Sequence, residues 1–234
     1  MSTSLHTLQV EILRYNNVIS LRNVATNIFI LRQTASTIAT DLLSRQNTSI
    51  LANLSVFPGL LEQYNIRYTE KWVKRIDENF LEYYYGLKPA LNIPHPSPSQ
   101  SASFPYIYHK FFSGDVSGMI AESIFIYFLD HLGININLIG HLRPMKQRNA
   151  YQPDYVIWDG SNAIKTLIQN PQFQPPLYAE VKGSTGGIDP SKISKAFTQL
   201  NNVLISNTDS GLAFIVFKDS QRVSYTGAII EVTI

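Results

Sequence analysis

The stretch Leu177-Tyr178-Ala179-Glu180-Val181-Lys182 decides how this chain is read. Side chains alternate along a strand, so Glu180 and Lys182 share one face while Ala179 and Val181 take the other. An acid within an apolar strand is costly to bury unless it is paired or metal-bound. The same anomaly occurs upstream in Tyr151-Gln152-Pro153-Asp154-Tyr155-Val156-Ile157-Trp158, where Asp154 interrupts a second strand-like run. Two carboxylates and a lysine brought alongside one another can serve a divalent metal and an attacking water. Mg²⁺ takes hard oxygen ligands, usually one or two carboxylates plus waters and phosphate oxygens. The combination points to phosphodiester hydrolysis, in which carboxylate-held metal offsets phosphate charge and a lysine assists the water.

Working outward, the segment from Ser117 to Leu132 reads as a helix burying Met119, Ile120, Ile124, Phe128 and Leu132, ended by Gly133. Strands are expected at Ile134–Leu142, Tyr151–Trp158, Leu177–Lys182, Leu212–Phe217 and Gly227–Ile234. A loop holding Asn170-Pro171 and Pro175-Pro176 precedes the Glu180 strand. Asp189 with Pro190 announces a helix to about Ile205. The order is α, β, β, β, α, β, β.

Upstream, Pro94 to Ser103 is the clearest shift in composition. Three prolines and four serines cannot sustain a helix or an inner strand, so residues 94–103 read as a linker or exposed loop. Before it, Leu21, Val24, Ile28, Leu31, Ala35, Ile38 and Leu42 recur at steps of three and four, the seam of one long amphipathic helix. That seam either packs within the protomer or joins two copies. After a break at Pro58-Gly59, a second helix is expected from Thr69 to Tyr85, with Lys71, Lys74 and Arg75 beside Trp72 as either a DNA-facing cluster or a solvated face. Residues 1–93 are therefore expected to be helical and 104–234 to form the catalytic core.

Composition narrows the chemistry. The chain of 234 residues has no cysteine, which excludes disulfides, thiolate metal sites and cysteine nucleophiles and fits a cytoplasmic location. A net charge of +2, from 19 basic and 17 acidic residues, is far from that of a general DNA coater, so any nucleic-acid contact is local. Met1 to His6 lack the features of a secretory signal, and no apolar run is long enough for a membrane span. The five histidines show no metal-ligand spacing, and no Gly-x-Ser-x-Gly elbow occurs. Gly183-Ser184-Thr185-Gly186-Gly187 lacks the spacing and lysine-serine ending of a nucleotide-binding loop, so no nucleotide cofactor is expected. Arg143, Lys146 and Arg148, just before the Asp154 strand, and Lys192 with Lys195, just after Lys182, are candidate phosphate contacts.

Pro153-Asp154 and Glu180-Val181-Lys182, placed in this element order, resemble the PD-(D/E)xK nuclease superfamily. The resemblance covers roughly the last 120 residues. It implies an α/β fold with a restriction-endonuclease-like αβββαβ core, a mixed central sheet flanked by helices, here with an N-terminal helical region. It further implies Asp154 and Glu180 as metal ligands, Lys182 as the residue that positions or activates water, Glu122 as a third metal ligand and Gln199 as an auxiliary. The expected activity is Mg²⁺-dependent cleavage of double-stranded DNA, with Mn²⁺ as a substitute, most like a homodimeric type II restriction endonuclease. A repair or junction-resolving nuclease, or an inactive nuclease-like module that binds DNA or protein, are the alternatives.

Overall fold

The computed structural model describes residues 8–56, 113–142, 152–184, 186–219 and 224–234. In chain order the elements are β1 (Leu8–Tyr15), β2 (Ile19–Ser20), α1 (Leu21–Val24), α2 (Ile28–Ser44) and β3 (Thr48–Val56). Then come α3 (Ser113–His131), a 3₁₀ turn (Ile136–Leu138), β4 (Ile139–His141), β5 (Tyr155–Ile157) and α4 (Asn162–Leu167). β6 (Leu177–Gly183), α5 (Pro190–Asn201), β7 (Ser210–Asp219) and β8 (Ser224–Thr233) complete the chain.

Seven strands form one open mixed sheet in the order β3-β1-β8-β7-β6-β5-β4, with the short β2 also pairing with β8. β4, β5 and β6 form an antiparallel meander. β6 and β7 are parallel, and the helix α5 makes the crossover that a parallel pair needs. β7 and β8 are antiparallel, β1 lies parallel to β8, and β3 closes the far side antiparallel to β1.

Helices cover both faces, which is why the central strands carry nearly continuous apolar sequence. In β7, Leu212, Phe214 and Val216 point to the layer under α3, where they meet Ile124, Phe125 and Phe128. The alternate residues Ala213, Ile215 and Phe217 meet Leu31, Ile38 and Leu42 of α2 and Ile193, Phe197 and Leu200 of α5. α5 begins as its sequence demands: the Asp189 side chain accepts the Ser191 N–H at 2.8 Å, and Pro190 occupies the first turn. Gly227 of β8 lies in the α3 layer. A Cβ there would come within 2.7 Å of Phe214 Cζ and 2.8 Å of Ile12 Cδ1, so the crossing of those side chains requires glycine.

Several expectations need correction. Residues 8–15 and 48–56, expected in a helical region, are strands of the same sheet as β6, which carries Glu180 and Lys182. Their pairing is non-local, Val10 lying opposite Tyr225, and no local periodicity announces it. The long helix divides at residues 25–27, where the Asn27 side chain caps α2 by accepting the Phe29 N–H at 2.9 Å. Its seam is no free dimer surface, because Leu21, Leu31, Ala35, Ile38 and Leu42 are buried against α5 and the sheet of the same chain. Ile136–Leu138 turns as 3₁₀ helix and shortens β4, while α4 occupies part of the connection expected to be loop. The 94–103 linker, the Thr69–Tyr85 helix and Arg143, Lys146 and Arg148 lie outside the described residues.

Candidate active site

β6 places the decisive residues as its alternation requires. Leu177, Ala179 and Val181 enter the layer under α3, leaving Glu180 and Lys182 on the face toward α5. The β5–β6 register pairs Tyr155 with Ala179, and one step further puts Asp154 opposite Glu180. There the side chains complete what the ladder begins. The Asp154 N–H donates to Glu180 Oε2 at 2.9 Å, and the Val181 N–H donates to Asp154 Oδ2 at 3.1 Å. The Leu142 N–H donates to the Asp154 carbonyl at 2.8 Å and ties β4 to the same point.

Glu180 is completely buried, whereas Asp154 is half-buried. A buried carboxylate needs compensating charge. Lys182 supplies it, its Nζ pairing with Glu180 Oε1 while its side chain keeps 22% exposure. Asp154, Glu180 and Lys182 are thus gathered at one place on adjacent strands. Both acids offer hard oxygens within the one-or-two-carboxylate count that Mg²⁺ takes, so this donor set fits the ion.

Glu122 is placed elsewhere. It is 2% exposed, and its Oε2 accepts the Tyr155 hydroxyl at 3.0 Å. Tyr155 is itself fully buried in the α3 layer, 5.8 Å from the Phe125 ring and edge-on to His141 at 5.2 Å. Since Tyr155 and Asp154 are successive residues, their side chains leave opposite faces of the sheet. Among the described residues no group of three or more His, Cys, Asp or Glu is close enough to hold a metal ion. The structure therefore brings Asp154 and Glu180 together without Glu122.

Gln199 faces the site from α5, and its Nε2 donates to the Gln152 carbonyl at 2.9 Å, two residues before Asp154. Lys192, in the first turn of α5, donates through Nζ to the Gly183 carbonyl, directly after Lys182. Burial pushes its ammonium below the ordinary lysine range. Asp189 opposes that shift and Lys195 adds to it. Lys195 is exposed one turn further on. Ser184 and Gly186 continue the β6–β7 pairing through Val216 and Lys218, at 2.8 and 3.0 Å. The β6 end of the site therefore carries Lys182, Lys192 and Lys195.

Neither Tyr155 nor Glu231 is among the candidate residues named from the sequence. Tyr155 has no chemical signature of its own, and its bond to Glu122 spans residues far apart in the chain. Glu231 does have one, being an acid in the apolar run Ile229-Ile230-Glu231-Val232. It is buried in β8 and accepts the N–H groups of Gln169 and Asn170 at 2.5 and 3.1 Å and the Ser210 hydroxyl at 3.2 Å. The rule that singled out Asp154 and Glu180 applies to it equally, and here it marks a structural tie. No protein-family model, curated protein or solved structure matches the chain.

Proposed function

We propose that this chain is a Mg²⁺-dependent endodeoxyribonuclease that hydrolyses double-stranded DNA, most like a type II restriction enzyme with a PD-(D/E)xK core. One observation carries the reading: Asp154, Glu180 and Lys182 meet on one face of neighbouring strands, joined by direct hydrogen bonds and an ion pair. The sequence of α3, the β4–β5–β6 meander, the α5 crossover and β7 supports it, because that order agrees with the αβββαβ core the motif implies.

Asp154 and Glu180 would hold Mg²⁺, or Mn²⁺ in its place. When bound, the ion supplies a Lewis acid for the phosphate and lowers the pKa of a coordinated water. Lys182 presents a cation where negative charge develops and orients the water through its donors. Lys192 and Lys195 neutralise phosphates next to the site, and Arg143, Lys146 and Arg148, which precede β5 in the sequence, are assigned the same task. Gln199 and the Glu122–Tyr155 pair fix the main chain around Asp154 from the two faces of the sheet. A cytoplasmic homodimer belongs to the same proposal, since cutting both strands of a palindrome calls for two symmetry-related sites.

The experiment is incubation of a supercoiled plasmid with Mg²⁺ and the native chain, Asp154→Ala or Glu180→Ala. Discrete fragments that depend on metal and vanish in both variants support a restriction enzyme, and a smear supports a nuclease without sequence preference. Cleavage unchanged by either substitution sinks the site.

A further inference from the structure

We infer that Lys182 is the resident counter-ion of Glu180 and that a divalent cation binds this site by displacing it, so that metal loading is what hands the lysine to the substrate. The inference rests on the metal-dependent reading above and concerns the order of events within it. Glu180 is completely buried, and each of its oxygens already has a donor: the Asp154 N–H on Oε2 and the Lys182 ammonium on Oε1. The two donors differ in kind. The Asp154 N–H is fixed by the strand pairing and neutral, so it stays when an ion arrives. The Lys182 ammonium is mobile on a four-carbon stem, and its side chain keeps 22% exposure against none for Glu180.

Two cations cannot hold one buried carboxylate oxygen at contact distance without strong repulsion, and in a site of low polarity that repulsion is poorly screened. A cation of charge two therefore takes Oε1 from a cation of charge one. The freed ammonium can swing only toward the side where its chain already meets water. Lys192 and Lys195 stand at that end of β6. Lys182 thus acts in two places in turn, on the carboxylate before metal binds and on water or phosphate afterwards. The ion pair also keeps Glu180 from standing as an uncompensated buried charge between turnovers.

The test is Mn²⁺ binding without DNA, followed calorimetrically, for the native chain and for Lys182→Met, Lys182→Gln and Lys192→Gln. Loss of the competing cation should tighten Mn²⁺ binding by a factor on the order of ten in both Lys182 variants. Lys192→Gln, which removes an equal charge from the Gly183 carbonyl, should stay within about twofold of native. Should Lys182→Met fail to fold, Lys182→Gln carries the comparison, because its amide keeps a donor for Oε1. Binding no tighter in the Lys182 variants, or tightened equally by Lys192→Gln, overturns displacement. If that result accompanies cleavage that still needs Mg²⁺, Asp154 and Glu180, only the counter-ion role is lost. Absence of metal-dependent cleavage and of Mn²⁺ binding defeats the underlying reading, and this inference with it.

Discussion

Asp154 and Glu180 hold each other's strands: the main-chain N–H of Asp154 donates to the Glu180 carboxylate at 2.9 Å, and the Asp154 carboxylate accepts the N–H of Val181 at 3.1 Å. The two acids are therefore structural partners in their own right. Neither can be removed without loosening the backbone that presents the other.

That reciprocity predicts a coupling in stability. Asp154→Ala and Glu180→Ala should each destabilise the fold by about 1–3 kcal/mol, since each leaves a partly buried N–H without its acceptor. The double variant should lose less than the sum, with an interaction of at least about 0.5 kcal/mol in a urea-unfolding cycle. Strict additivity would show that the clasp is not shared.

Glu122 should behave as an anchor. Tyr155→Phe and Glu122→Gln both disturb a buried hydrogen bond, and Tyr155→Phe should cost about 1–3 kcal/mol because the hydroxyl that donates to a buried carboxylate is removed. Mn²⁺ affinity should change little in either variant, whereas Asp154→Asn should lower it sharply. A collapse of affinity in Glu122→Gln would mean that this residue reaches the metal after all.

Glu231 should leave a mark on the pH dependence of stability. Burial raises its carboxyl pKa above the ordinary glutamate value, opposed by the Gln169 and Asn170 N–H groups, the Ser210 hydroxyl and the charge of Arg14. With the folded pKa raised, the folded state binds more protons than the unfolded one across the shifted range. Stability from this group is complete below the unfolded pKa and is lost as pH rises through the folded value. Glu231→Gln should lose one of its backbone ties at every pH, but it should lack that decline. The urea midpoint of native minus variant, followed between about pH 4 and pH 8, should fall with rising pH; a flat difference would contradict the assignment.

Gly227 gives a prediction of packing. Gly227→Ala places a methyl group against Phe214 and Ile12 at distances no real Cβ tolerates. Both neighbours are fully buried and can yield only by shifting the sheet or the α3 layer. A loss of about 1–3 kcal/mol is expected, read as a lower urea midpoint at unchanged slope.

What the sequence shows of this fold follows from how local each cause is. β6 and α5 are legible because strand alternation and an Asp-Pro helix start are written within a few residues, and Glu180 and Lys182 fall on one face for the same reason. Asn27 was an equally local cap, overshadowed by the heptad pattern running through it. β1 and β3 were missed because their partners lie elsewhere in the chain, as when Ile12 pairs with Gly227. Asp154 is legible as an anomaly in an apolar strand, yet its clasp with Glu180 depends on the β5–β6 register, which the motif does not state. Glu122 is singled out only by the resemblance, which assigns it to the metal; its burial is a finding of the structure. Its partner is the tyrosine next to Asp154, on the other face of the sheet, and only the three-dimensional pairing shows that.

The most direct test of the central claim is the single-turnover rate of plasmid cleavage in Mg²⁺ by Asp154→Asn and the native chain, with folding checked by circular dichroism. Asparagine keeps an oxygen for the Val181 N–H and removes only the charge, so the fold should stand while the rate falls by about a hundredfold or more. A correctly folded Asp154→Asn protein that cuts DNA at the native rate would contradict the account.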